Sequence, residues 1–243
     1  VDGKVDAASD IETINTELNL ADLQTLEKAR PRIEKEIKGK KAEPEMLVAI
    51  DEAIAVLNQG TPLSLSKVDL EPIKELGLLT AKPILFVFNV DEAVLTSAEK
   101  RAELSALVAP AKAVFLDAKV ESELIDLSHE EAQELLQSLG QEESGLDQLA
   151  HVGFQTLGLQ TYLTAGPKES RAWTIRKGWK APQAAGVIHT DFERGFIKAE
   201  VVSFADLDSA GSMAEAKAQG KVRMEGKEYV MNDGDVVEFR FNV

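Results

Sequence analysis

The chain has 243 residues and 44% of them are hydrophobic, enough for one large core or two ordinary ones. With no cysteine, disulfides and thiolate metal sites are excluded, three scattered histidines (His129, His151, His189) suggest no metal cluster, and a reducing cytoplasm fits. The formal charge of −15 argues against a surface that engages nucleic acid throughout, DNA in particular, and the longest apolar runs, such as "PILFVF", are far shorter than the ~20 residues that cross a bilayer, so no membrane partner is expected.

Residues 159–243 carry 12 Lys or Arg and 12 Asp or Glu, so the acidic excess lies entirely in residues 1–158 and two modules are expected. The chain opens on Val1 rather than methionine, and "VDGKVDAASD" reads as a loop entering a helix, as if the sequence begins partway through a larger protein. From Ile11 the apolar residues Ile14, Leu18, Leu23, Leu26, Ile33 and Ile37 keep helical spacing, and Pro31 predicts a kink or break. A second helix begins near Pro44, shows Leu47, Ile50, Ile54 and Leu57 on one face, and stops near Gly60. The two read as an antiparallel hairpin, an arm for packing or for a protein partner.

"KPILFVF" is a continuous apolar run, which predicts a strand buried on both faces of a parallel sheet. A helix over 97–108, a second strand in "AKAVFLDA" and a helix over about 128–139 follow, the last opened by Ser128 and Glu131 at capping-box spacing. Strand and helix in alternation predict an α/β sheet, whose ligands bind at the carboxyl ends of the strands, where Asn89 and Glu92 fall. After a helix near 145–157, short β-rich runs separated by glycine turns ("LQTYLTAG", "RAWTIRKG", "FIKAEVVSF", "VRMEGKEYVM", "DVVEFRF") alternate with helices at about 181–189 and 205–218, predicting a small α+β module.

The chemistry concentrates in "NVDE". An asparagine at the end of a buried strand can bond the Hoogsteen edge of a purine, and a carboxylate three residues on accepts protons from the Watson–Crick edge. In the usual guanine-reading form, Asn-Lys-x-Asp, the last residue is aspartate and a lysine stacks on the base. Here Glu92 is one methylene longer and Val90 replaces the lysine, which admits a base with a different edge. The competing reading is a strand-terminating turn with surface acids. The second strand adds "FLDAKVE", a predicted loop whose backbone at Ala118 can approach the base. A phosphate cradle of the form Gly-x-x-x-x-Gly-Lys-Ser/Thr does not occur in the sequence, and the one Asp-x-x-Gly, at Asp208, lies in the other module.

Four stretches, "VDGKVDAASDIETINTEL", "LLTAKPILFVFNVDE", "GLQTYLTAGPKESRAWTIRKGWKAPQAAGVIHTDFERGFIKAEVVSF" and "EGKEYVMNDGDVVEFRFNV", resemble the YchF family of Obg-like ATPases in order and nearly end to end. The resemblance implies part of a P-loop NTPase domain (1–16 and 80–158) interrupted by a helical coiled-coil arm (17–79), and a TGS domain of ubiquitin-like β-grasp fold (159–243). It implies a ribosome-associated hydrolase of ATP, and secondarily GTP, that uses Mg2+ and acts in translation or stress regulation, with Val90 against the adenine. The family's P-loop and switch regions would precede Val1. The chain by itself is therefore expected to hold nucleotide weakly, to contain no catalytic residue, and to serve, in the alternative reading, as a docking module for ribosome, RNA or protein.

Lys168, Arg171, Arg176, Lys177 and Lys180 face a single acid, Glu169, beside Trp173 and Trp179. This strip reads either as an RNA contact, by charge and stacking, or as a half-exposed strand with tryptophan inward and cations solvated. His189 lacks a nucleophile motif beside it and is expected to cap a helix, with Thr190 and Asp191 shaping the turn.

Overall fold

In the computed structural model, which describes residues 6–166 and 169–242, Asp6 opens the first helix by accepting a hydrogen bond from the Ser9 amide at 3.2 Å. This helix, α1 (Ala7–Lys38), runs through Pro31 without the break that is one of the two expectations there. The proline forfeits one backbone bond and lies exposed. On either side of it Leu26, Ala29 and Ile33 are buried with Ala49, Ile50, Ala53 and Leu57 of α2 (Glu45–Leu57). The Arg30 guanidinium also forks onto Asp51 at 2.7 and 3.1 Å, tying the residue before the proline to α2. Two 3-10 turns, Leu63–Leu65 and Glu71–Leu76, bring Leu63 and Ile73 into the same cluster.

The segment leading into the sheet is fastened to α1 by Asp22. Only 2% exposed, its carboxylate accepts hydrogen bonds from the Leu79 amide (2.8 Å), the Thr80 amide (2.7 Å) and the Thr80 hydroxyl (2.7 Å). A buried carboxylate persists only when its lone pairs are satisfied in this way.

Strand β1 (Leu85–Asn89) pairs in parallel with β2 (Lys112–Leu116), Phe88 opposite Phe115, their rings stacked at 5.2 Å. Helices α3 (Glu92–Leu95) and α4 (Ala98–Val108) form the crossover, and α5 (Ala118–Leu124) and α6 (His129–Ser138) follow. Leu95, Phe115 and Leu139 make the core, with Phe88, Val90, Leu104 and Leu135 against it. The predicted burial of β1 on both faces is not met. Among the described residues this sheet has two strands, and Val87, pointing away from the Phe88 face, stays 46% exposed.

The chain divides into two compact units, 1–146 and 147–243. Helix α7 (Gly145–Thr156) crosses that divide, so most of it goes with the second unit rather than the first. The second unit holds β3 (Leu159–Ala165), β4 (Ser170–Arg176), α8 (Ala181–Ile188), α9 (Thr190–Arg194), β5 (Phe196–Ser203), α10 (Phe204–Ala210), α11 (Met213–Ala218), β6 (Arg223–Glu225) and β7 (Asp235–Phe241). The strand order is β4-β3-β7-β5-β6, parallel between β3 and β7 and antiparallel elsewhere.

Alternation along the strands sends Val201 and Val237 to one face and Val202 and Val236 to the other. The first pair joins Tyr162, Ile175, Phe239 and the small residues Ala181, Ala184 and Ala185 of α8; the second joins Ala216, Leu207 and Met213 of α10 and α11. The single helix expected over 205–218 is two, because Gly211 adopts φ 73° and ends α10 in a left-handed cap. Among the described residues no helix is long and apolar enough to cross a membrane.

Candidate functional site

Strand β1 ends at Asn89, and the parallel ladder is carried one residue further by the Val90 amide, which donates to the Leu116 carbonyl at 2.8 Å. The Asn89 side-chain oxygen accepts a hydrogen bond from the Ala118 amide at 3.1 Å. Two residues 29 apart in sequence, the last of β1 and the second after β2, are thereby tied together at the carboxyl ends of the two strands. Ala118 is the first residue of α5 rather than part of a loop, because Asp117 caps that helix by accepting from the Lys119 amide at 2.8 Å. Its amide is one of the unpaired first-turn donors, and Asn89 takes it.

After Asn89 the chain turns directly into a helix. Asp91 caps α3, accepting from the Val94 amide at 3.0 Å, which leaves Glu92 at the first helical position with an exposed carboxylate. Val90 packs partly buried against the Phe115 cluster. The structure thus brings Asn89 and Ala118 into contact, puts Glu92 on the same turn, and gives Val90 an apolar wall behind that turn. Asn89, Glu92 and Ala118 are all solvent-accessible.

Glu121 and Gly145, to which the sequence reading gave no role at the site, help build this end of the sheet. The Glu121 carboxylate accepts from the Gly145 amide at 2.7 Å and the Leu146 amide at 3.3 Å, capping the start of α7. Gly145 lies so close to Leu116 that a Cβ there would sit 2.4 Å from the Leu116 Cβ, so only glycine fits. The sequence signal was a lone glycine before an amphipathic helix, which is too common to point at Leu116.

In the second unit, Arg171, Arg176 and Lys177 are exposed, and Arg171 stacks over Trp173 at 4.2 Å. Trp173 is half-buried, its indole N–H donating to the Thr164 hydroxyl at 2.9 Å, and both tryptophans pack against the main core. Lys180 is held by an ion pair with Glu228. Lys168 lies outside the described residues. His189 closes α8 and caps α9, its Nδ1 accepting from the Asp191 amide at 3.2 Å. Among the described residues no group of three or more His, Asp or Glu side chains is placed to hold a metal ion.

A family model described as YchF-GTPase_C, "Protein of unknown function (DUF933)", matches residues 159–242. The chain is 48% identical, over its whole length and 69% of the relative's, to a Bacillus subtilis protein named ribosome-binding ATPase YchF. It is 37% identical to an Obg-like ATPase 1 of Rattus norvegicus, again over its whole length and 64% of the relative's. Among solved structures, that of the Schizosaccharomyces pombe YchF GTPase superposes with a TM-score of 0.81 at 33% identity, over 99% of this chain and 68% of the other. Identity at this level along the entire chain, with the same fold, places the protein in the YchF family.

Proposed function

We propose that the protein is a ribosome-associated nucleotide-binding protein of the YchF type, in which residues 80–158 supply the base-reading half of an ATP site and residues 159–243 form a TGS domain of β-grasp fold. The observation that carries the first part is the hydrogen bond from the Ala118 amide to the Asn89 side chain at the carboxyl ends of β1 and β2. With its oxygen spent on Ala118, the Asn89 carboxamide keeps its NH2 as a donor toward N7 of a purine. The exposed Glu92 carboxylate accepts from an exocyclic amine, and Val90 offers an apolar contact in place of a cation, which favours adenine over guanine. The strand order β4-β3-β7-β5-β6, with the first and last strands parallel at its centre and α8 across one face, supports the β-grasp reading.

The residues present fit a nucleotide base but not its phosphates. No Gly-x-x-x-x-Gly-Lys-Ser/Thr occurs in the sequence, so the triphosphate and its Mg2+ would be held by residues outside this chain. This polypeptide by itself therefore binds ATP weakly and hydrolyses none. In the second unit, the exposed Arg171, Arg176 and Lys177 are the cations available for RNA phosphates, and the Arg171–Trp173 stack gives them a flat partner for a base.

The test is titration of ATP and GTP into this chain and into a form that carries a P-loop. The expected result is weak binding and no phosphate release for the chain alone. The P-loop form should bind tightly with ATP preferred, and Asn89→Ala in it should lower ATP affinity roughly tenfold, the equivalent of ~1.4 kcal/mol for a lost base contact. Unchanged affinity in that variant would remove the base-reading assignment, and turnover by the chain alone would overturn its expected inactivity.

A further inference from the structure

The distribution of charge within the first unit is uneven in a way its acidic total conceals. Residues 28–41 hold seven Lys or Arg against two acids, Glu34 and Glu36, a local net of +5 in a chain whose remainder carries −20. Part of this has an internal explanation. Arg30 is bound to Asp51, Lys38 is paired with Glu34 at 2.9 Å, and cations in the last turn of a helix offset its dipole.

Lys28, Arg32, Lys40 and Lys41 have no such account. Among the described residues they and Lys35 make no ion pair within 4.0 Å, and all five are exposed. Lys28, Arg32 and Lys35 follow the spacing i, i+4, i+7 and so share one stripe of α1, away from the stripe of Leu26, Ala29 and Ile33 that packs on α2. At a rise of about 1.5 Å per residue this stripe is about 10 Å long, and it runs into the turn that carries Lys40 and Lys41. Lys40 itself has φ 55°, a left-handed turn conformation, with its side chain in solvent.

We propose that the turn between α1 and α2, with the stripe leading to it, is a docking tip for the phosphate backbone of RNA. A row of spaced, unpaired cations matches a row of phosphates, whereas a folded acidic protein would require an apolar centre that the stripe does not contain. The acidic remainder supports the same partner. The net negative charge over the rest of the first unit disfavours a polyanion there, so encounter is steered to the tip. This rests on the ribosome-associated reading above and adds to it a second RNA contact, on a different unit from Arg171, Arg176 and Lys177.

The experiment measures binding of the whole chain to a fluorescently labelled 20-base-pair RNA hairpin between 50 and 200 mM salt. Wild type is expected to show a slope of log K against log salt of about −4, as for roughly five phosphates neutralised. The triple variant Lys35→Gln, Lys40→Gln, Lys41→Gln should bind at least tenfold more weakly with a slope shallower by about 2, at unchanged helicity. The corresponding triple change to Arg should restore binding. If only Arg176→Gln with Lys177→Gln weakens binding, the tip is not an RNA site while the ribosome reading stands. Failure of wild type to bind the hairpin at all sinks both, and equal affinity for polyglutamate at matched length sinks the choice of RNA.

Discussion

Asp22 sits in the middle of a helix whose other charged residues face water, and nothing in its neighbours marks it out. Its three donors, the Leu79 and Thr80 amides and the Thr80 hydroxyl, come from nearly 60 residues away. Asp22→Ala leaves all three in the interior without an acceptor, and since each unsatisfied buried group costs ~1–3 kcal/mol, a loss of about 3 kcal/mol is expected after partial rearrangement. Urea unfolding followed by far-UV circular dichroism would show it as a lowered midpoint, and an unchanged midpoint would mean that water replaces the carboxylate. Asn89 works in the same way as Asp22, one side chain accepting from the backbone of a segment distant in sequence, with the difference that Asn89 remains exposed.

Helix α6 shows how far a local signal reaches. The capping box read from Ser128 and Glu131 is formed in both directions: the Ser128 hydroxyl accepts from the Glu131 amide, and the Glu131 carboxylate accepts from the Ser128 amide at 2.9 Å. The hydroxyl of Ser128, which donates to Glu131 at 2.6 Å, and then its amide, hold that carboxyl below the usual glutamate value. A carboxyl whose pKa is lower folded than unfolded contributes stability that is complete above its ordinary pKa and vanishes as pH falls through the folded value. Amide exchange in the first turn of α6 should therefore quicken as the sample is taken from pH 7 to below the carboxylate range, after correction for the intrinsic rate. In Ser128→Ala most of that dependence should be gone, and a variant with the wild-type profile would show the box to be idle. By contrast α1 overrides part of its own local signal: Pro31 predicts a kink or a break, yet the helix continues, because burial of Ala29 and Ile33 on either side outweighs one missing backbone bond.

For the molecule as a whole, the two units have separate cores, one of helices and a parallel pair of strands, the other a five-stranded sheet with helices on both faces. Independent cores need not unfold together. Both tryptophans, Trp173 and Trp179, belong to the second unit, while the longest helices, α1 and α2, belong to the first. Urea transitions recorded by tryptophan fluorescence and by far-UV circular dichroism are expected to have different midpoints. Coincident curves would show that the units unfold as one.

The sequence by itself determined the parts whose causes are local. Apolar periodicity located α1 and α2, apolar runs located the β1 and β2 strands, alternation and glycine turns located the strands of the second unit, capping residues marked α6, and the Asn89 to Glu92 turn was visible because a strand, an amide and an acid follow one another in the chain. What the tertiary structure decided is which distant groups meet. That Ala118 begins a helix and gives its amide to Asn89, that Asp22 binds Thr80, that Glu121 caps α7 while Gly145 leaves room for Leu116, and that Val87 remains in solvent are all outcomes of packing between segments far apart in sequence. A hydrogen bond or a close contact depends on positions in space, and the periodicity of a chain fixes only which face a residue is on, not what the fold will set against it.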